Sequence, residues 1–179
     1  RFRLSSTSHW DIPVELPNGA GVHGRASHPT PPAFDGDEAR NKKRNHDEIR
    51  FWADYIDNAE YILDDQRRPG GLPARAHFVI VGDLNADPDE GSSWDDPIGE
   101  LLLASRWAAD DPAPTSPGKI DRLDPDDTAR CGLRVDYVLP SKTLNGSKTG
   151  VWRYPVHADG TFPSDHYPVW ADIVVPPKP

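Results

Sequence analysis

A chain of 179 residues is long enough for one domain with its own core. Its apolar fraction of 36% and mean hydropathy of −0.70 make that core a modest one, and 20 Pro with 14 Gly imply many loops. A net charge of −9 argues against a surface that grips duplex nucleic acid by neutralising phosphates.

Six Trp, five Tyr and five Phe argue against disorder. Cys131 is the only cysteine, which excludes an internal disulfide and a cysteine-based zinc site. No window approaches the ~18 apolar residues of a membrane span.

Along the chain, Arg1–Leu4 and Trp10–Leu16 alternate well enough for two edge strands joined by a polar turn at Ser5–Ser8. Asn18-Gly19 is a hairpin signal leading into a strand at about Val22–Ser27. His28 closes that strand, and Pro29, Pro31 and Pro32 enforce an extended loop through Gly36. The one basic cluster, Arg40–Arg50 (RNKKRNHDEIR), is interrupted by acids and reads as the solvated start of a helix. Asn45-His46-Asp47-Glu48 has the form of a capping box, with Asn45 as N-cap and Glu48 reaching back. Ile49, Trp52, Ile56, Ala59 and Leu63 follow at spacings of three and four, so one helical face is buried; Arg67–Pro73 ends it.

The most informative stretch is His77–Pro88, HFVIVGDLNADP. An apolar strand stops at Gly82 and delivers a carboxylate, Asp83, and a carboxamide, Asn85, to the rim of a sheet. Such a pair suits hard cations and phosphate oxygens. Asp87, Asp89 and Glu90 read as turn residues and solvated charge. A short helix at about Pro97–Ser105 offers Ile98, Leu101 and Leu102 as apolar contacts, and Asp110–Arg130 reads as a long surface loop.

Two later strands repeat the theme of chemistry at strand ends. Leu133–Leu139 (LRVDYVL) carries Asp136 in its middle, an unusual place for a charge that needs a partner. Asn145-Gly146-Ser147 fits a glycosylation sequon and, more simply, a turn. Ser164-Asp165-His166 precedes the last apolar run, Val169–Val175. An acid beside a histidine suits metal binding with proton transfer. Trp10, Trp52, Trp152 and Trp170 lie on apolar patterns and read as core; His23, His46 and His157 read as surface residues. Helices between such strands give an α/β (α+β layered) class.

GDLN at Gly82–Asn85, RVDYV at Arg134–Val138 and SDHYPV at Ser164–Val169 together resemble the C-terminal half of the endonuclease/exonuclease/phosphatase superfamily. Ser27–Ile56 is similar to a bacterial, often secreted branch of it. The resemblance implies half of a four-layer α/β/β/α sandwich with mainly antiparallel sheets. It makes residues 1–179 the C-terminal portion of one domain whose N-terminal portion, with an early metal-binding Glu, is missing. It also implies a Mg²⁺- or Mn²⁺-dependent phosphoesterase, and a fragment inactive alone. By the same resemblance Asp165 binds the metal, His166 is the general base and Asp136 orients it. Asp83 orients or deprotonates the attacking water, Asn85 contacts a phosphate oxygen, and His28 contacts the phosphate.

The implied partner is a phosphate-ester substrate, and an extracellular location is favoured. The sheet face of Phe78-Ile80 and Val135-Tyr137-Leu139 is expected to be covered by the missing N-terminal half or a second copy. Two other readings compete. A non-catalytic binding relative is opposed by the intact acid and histidine set. A calcium-binding module is opposed by Pro88 and Trp94, which stand where a calcium loop needs Gly and Glu.

Overall fold

The computed structural model describes residues 4–154 and 162–177. A four-stranded sheet has the order β1 (His9–Glu15), β2 (Gly21–Ser27), β3 (Phe78–Asp83), β4 (Asp136–Pro140). Only the β2/β3 pair is parallel. The crossover between those two strands carries helix α1 (Arg40–Ile56), as a parallel connection requires. A second, two-stranded antiparallel sheet joins β5 (Asn145–Val151) to β6 (Val169–Val174). The class is mixed α/β, with the mainly antiparallel pairing that the family resemblance implies. The strand reading of Arg1–Arg3 and the surface reading of His157 fall outside the described residues.

One face of the large sheet is closed by the chain itself. Ile49, Trp52 and Ile56 of α1 pack with Ile98 and Leu102 on Phe78, Ile80, Tyr137 and Leu139, all 5% exposed or less. Burial of each such side chain stabilises the fold by roughly 1.5–3 kcal/mol. The face expected to need an outside cover is therefore the chain's own core. Alternation along the strands puts Trp10, Ile12, Val14, Val79, Val81 and Val138 on the opposite face, and Trp10, Ile12 and Val14 there are 45–58% exposed.

Helix α1 corrects the capping-box reading. It begins earlier, at Arg40 with Ala39 as N-cap, and the Asp35 carboxylate accepts hydrogen bonds from the Asn41 and Lys42 amides at 2.7 and 2.8 Å. Asn45 is wholly buried inside the helix and donates to the Thr30 and Leu84 carbonyls, both at 2.9 Å. Glu48 accepts from the Ser6 and Thr30 amides. These two polar residues hold loops rather than the helix terminus. The helix ends at Ile56, so Ala59 and Leu63 fall beyond it, and Leu63 is exposed.

Other expectations also change. A π-helical segment, Ile98–Leu103, replaces the ordinary short helix. Asn145 opens β5 rather than a turn, because its backbone pairs with Val174. Trp52 is buried, but Trp10, Trp152 and Trp170 are 58%, 43% and 42% exposed and are not core. Residues 110–130 contain no named helix or strand, yet Ser116, Asp127 and Thr128 are buried, so this loop is not wholly superficial.

Candidate active site

The end of β3 aims the first acid. Gly82 has φ +143°, and a Cβ there would run into the Ser27 carbonyl oxygen, so only glycine lets β3 approach the end of β2 this closely. Asp83 follows. Its Oδ1 accepts the Asn85 amide at 2.9 Å, closing a turn in which Asn85 takes the left-handed φ of 54° that Asn tolerates. The Asn85 side-chain amide donates to the Pro29 carbonyl at 3.1 Å. This ties the Pro-rich loop to the rim.

Asp136 is the first residue of β4, not its middle, and stands opposite Asp83 in the register. Its Oδ2 meets His166 Nδ1 at 2.8 Å. The Asp83 Oδ2 lies 3.3 Å from His28 Nε2. One ligand atom from each of Asp83, Asp136 and His166 falls within 4.8 Å of the others. All three are half-buried and open into a shallow hollow also lined by Trp152, Phe162 and Tyr167. A second, mostly apolar cleft of about 260 Å³ opens beside Asn85 and His166, walled by Pro31, Ala33, Leu133 and Val135. Asp165 is exposed and outside the three-residue cluster; its backbone carbonyl accepts the Arg130 amide at 2.9 Å.

Electrostatics mark the two inner groups. Burial raises the Asp83 carboxyl above its ordinary value and the Asp136 charge adds to this, against the lowering effects of the Asn85 amide, His28 and His166. Burial pulls His166 down, but the hydrogen bond and charge of Asp136, with the charges of Asp83 and Asp165, outweigh it and leave the imidazole raised. Two carboxylates on paired strands, beside an imidazole, make a donor set that fits a hard divalent cation.

Beneath the rim lies a buried network that sequence reasoning missed. Asp87 is only 8% exposed, so it is not solvated charge. It accepts the Asp89 and Glu90 amides with one oxygen and the Arg134 amide, at 2.6 Å, with the other. Arg134 is paired through two nitrogens with Asp110 and lies over the Tyr137 ring, whose hydroxyl is 2.8 Å from the Ala86 and Arg134 carbonyls. The GDLN loop and β4 are thus locked together from below. The one sequence signal was an acid directly before a proline in a turn, which is common without burial.

This fold and rim define a mixed α/β scaffold with an acid–histidine cluster at its strand ends. The sequence profile of the endonuclease/exonuclease/phosphatase family matches residues 8–166, and the chain belongs to that family. No curated protein is similar enough in sequence to match. Among solved structures, an endonuclease/exonuclease/phosphatase from Beutenbergia cavernae is 20% identical at TM-score 0.59, covering 93% of this chain and 39% of its own. Beta toxin from Staphylococcus aureus is 19% identical at TM-score 0.57, with 94% and 57% covered. Sphingomyelinase C from Streptomyces griseocarneus is 17% identical at TM-score 0.57, with 93% and 57% covered. The chain thus spans about half the length of the structures it resembles.

Proposed function

We propose that this chain carries part of the active site of a metal-dependent phosphoesterase, which hydrolyses a phosphate mono- or diester by in-line attack of water. The observation that carries the reading is the Asp136–His166 hydrogen bond set against Asp83 across two paired strands. In this reading His166 is the general base, or holds a phosphate oxygen while protonated, and Asp136 fixes its ring and stabilises the imidazolium. Asp83 orients or deprotonates the water, with His28 at its other oxygen. Asn85 has a second side-chain N–H, beyond the one given to Pro29, for a phosphate oxygen.

By the family resemblance Asp165, which lies outside the three-residue cluster, would hold the metal, and Asp83 and Asp136 would be further hard donors at the rim. Mg²⁺ or Mn²⁺, when bound, supplies charge neutralisation at the phosphoryl oxygens. A variant of S. aureus beta toxin has been solved with bound magnesium ions, which supports this choice. An extracellular location belongs to the same reading and rests on the resemblance to a secreted branch alone. The open apolar sheet face is the surface that a further sheet, from a longer protein or a second copy, would cover.

The test is hydrolysis of bis(p-nitrophenyl) phosphate and p-nitrophenyl phosphate by the full-length protein, with Mg²⁺ or Mn²⁺ and with EDTA. Metal-dependent turnover that His166→Ala lowers by ~10²-fold or more is the expected result. Near-normal turnover by both His166→Ala and Asp83→Ala would sink the assignment.

A further inference from the structure

Thr128 is 1% exposed and lies at the end of a segment with no sequence periodicity, yet each of its polar atoms is engaged at the site. Its hydroxyl oxygen accepts two successive amides, those of Val135 and Asp136, both at 2.9 Å. Its backbone carbonyl accepts the Tyr167 amide at 2.7 Å, and its own amide donates to the Leu133 carbonyl at 3.0 Å. The neighbouring residues extend the grip. Ala129 bridges both Leu133 and His166, and the Arg130 amide donates to the Asp165 carbonyl. From the other side the buried Arg153 guanidinium donates to the Asp124 and Asp127 carbonyls and lies over the Tyr167 ring.

We infer that Thr128 is a positioning residue that sets the distance and angle between Asp136 and His166. This rests on the reading of those two residues as an oriented base pair. Asp136 and His166 come from chain segments 30 residues apart, on β4 and on the approach to β6. A hydrogen bond of 2.8 Å between them survives only if both backbones are fixed. Through its side chain Thr128 fixes the peptide that carries Asp136. Through its main chain it fixes the peptide after His166. One residue therefore spans the pair, and a shift of ~1 Å in either peptide lengthens the bond out of range.

The experiment compares Thr128→Val, Thr128→Ser and Thr149→Val in the full-length protein, with bis(p-nitrophenyl) phosphate and Mg²⁺. Thr149 also makes a side-chain bond, to the Pro112 carbonyl, but belongs to β5 and is the control for loss of a threonine hydroxyl. Valine keeps the shape and removes the acceptor. Thr128→Val is expected to lower kcat by ~10- to 100-fold with KM within ~3-fold, while Thr128→Ser and Thr149→Val stay within ~3-fold of the parent. Amide hydrogen exchange at Val135 and Asp136 should quicken by ~10-fold or more in Thr128→Val, with Tyr167, which bonds to the carbonyl, unchanged.

Normal turnover by Thr128→Val, or a Thr128→Ser enzyme as slow as Thr128→Val, overturns the inference. So does unchanged exchange at both amides. A His166→Ala protein that retains full activity in the same assay overturns instead the base reading on which the inference stands, and the exchange result then reports the clamp alone.

Discussion

The two faces of the four-stranded sheet are built from the same strands and differ in what covers them. On one face Phe78, Ile80, Tyr137 and Leu139 vanish under α1 and the π-helical segment. On the other, Trp10, Ile12 and Val14 stay 45–58% exposed, in register with a row that runs through Gly24 and Ala26 to Val79 and Val81. Strands that face water on one side normally alternate apolar with polar residues. β3, with Phe78-Val79-Ile80-Val81, does not; it reads as a strand meant for burial on both sides. The candidate site sits at the end of these strands, between the closed face and a second face whose outer row, Trp10, Ile12 and Val14, is exposed.

The largest effect should come from the closed face. Trp52 is 1% exposed, packs against Phe51 and Tyr55, and donates its indole N–H to Ser27 Oγ at 2.7 Å. Trp52→Ala should cost ~3–5 kcal/mol in chemical denaturation, because it leaves a large cavity. A loss below ~1 kcal/mol would mean that α1 is not what holds this face.

Next comes the rim. Asp83→Ala should lower phosphoester turnover by ~10²-fold or more, about 2.7 kcal/mol of transition-state stabilisation, with little change in melting temperature. Equal losses of activity and stability would show Asp83 to be a structural turn residue, held by its bond to the Asn85 amide.

Proton binding sharpens the contrast further. Asp136 raises both the His166 imidazole and the Asp83 carboxyl, so Asp136→Asn should lower both. An NMR titration of the His166 ring in metal-free protein should give a value above 6.5 that falls in the variant. The linkage has one sign for both groups. The imidazole is protonated more readily in the folded state, so its stabilisation is complete below pH ~6.5 and is lost as pH rises through the raised value. The Asp83 carboxyl, also raised, loses stability as pH climbs from ~3.8 through its own raised value. A His166 titration unmoved by Asp136→Asn would refute the orienting role.

The legible part of this molecule was its periodic part. Val22–Ser27, Phe78–Gly82 and Val169–Val175 announced β2, β3 and β6 by composition, and Ile49, Trp52 and Ile56 announced the buried side of α1. The start of α1 was misread because Asn45 and Glu48 have capping-box spacing, whereas the acceptor that does the capping, Asp35, lies in a preceding loop. Local spacing could not reveal that Asn45 serves Thr30 and Leu84 instead. Asp83 and His166 stood out as charge beside strand ends, and Asp136 as a charge within an apolar strand pattern. Asp87, Arg134 and Thr128 did not, since their roles exist only once residues 110–135 have folded under the rim. Which face of β3 lay open was equally invisible, because a continuous apolar run has no inside or outside of its own.

The smallest expected effect bears most directly on the difference between the faces. Ile12 and Val14 are each 45% exposed, so changing either to Ser removes little buried area and should alter the stability of the isolated 179-residue chain by less than ~0.5 kcal/mol. The same two changes should alter how the chain behaves in solution. An apolar sheet face of this kind favours association with another copy or with further sheet, and two serines in its outer strand weaken that tendency. Light scattering across a concentration series should show the parent chain self-associating and the Ile12→Ser/Val14→Ser protein doing so less. If the double variant instead loses stability on the scale of Trp52→Ala, the face is already closed by the chain itself and the two-face comparison fails. If the parent is monomeric at every concentration, the exposed row is not an association surface, and the burial pattern of β3 needs another cause.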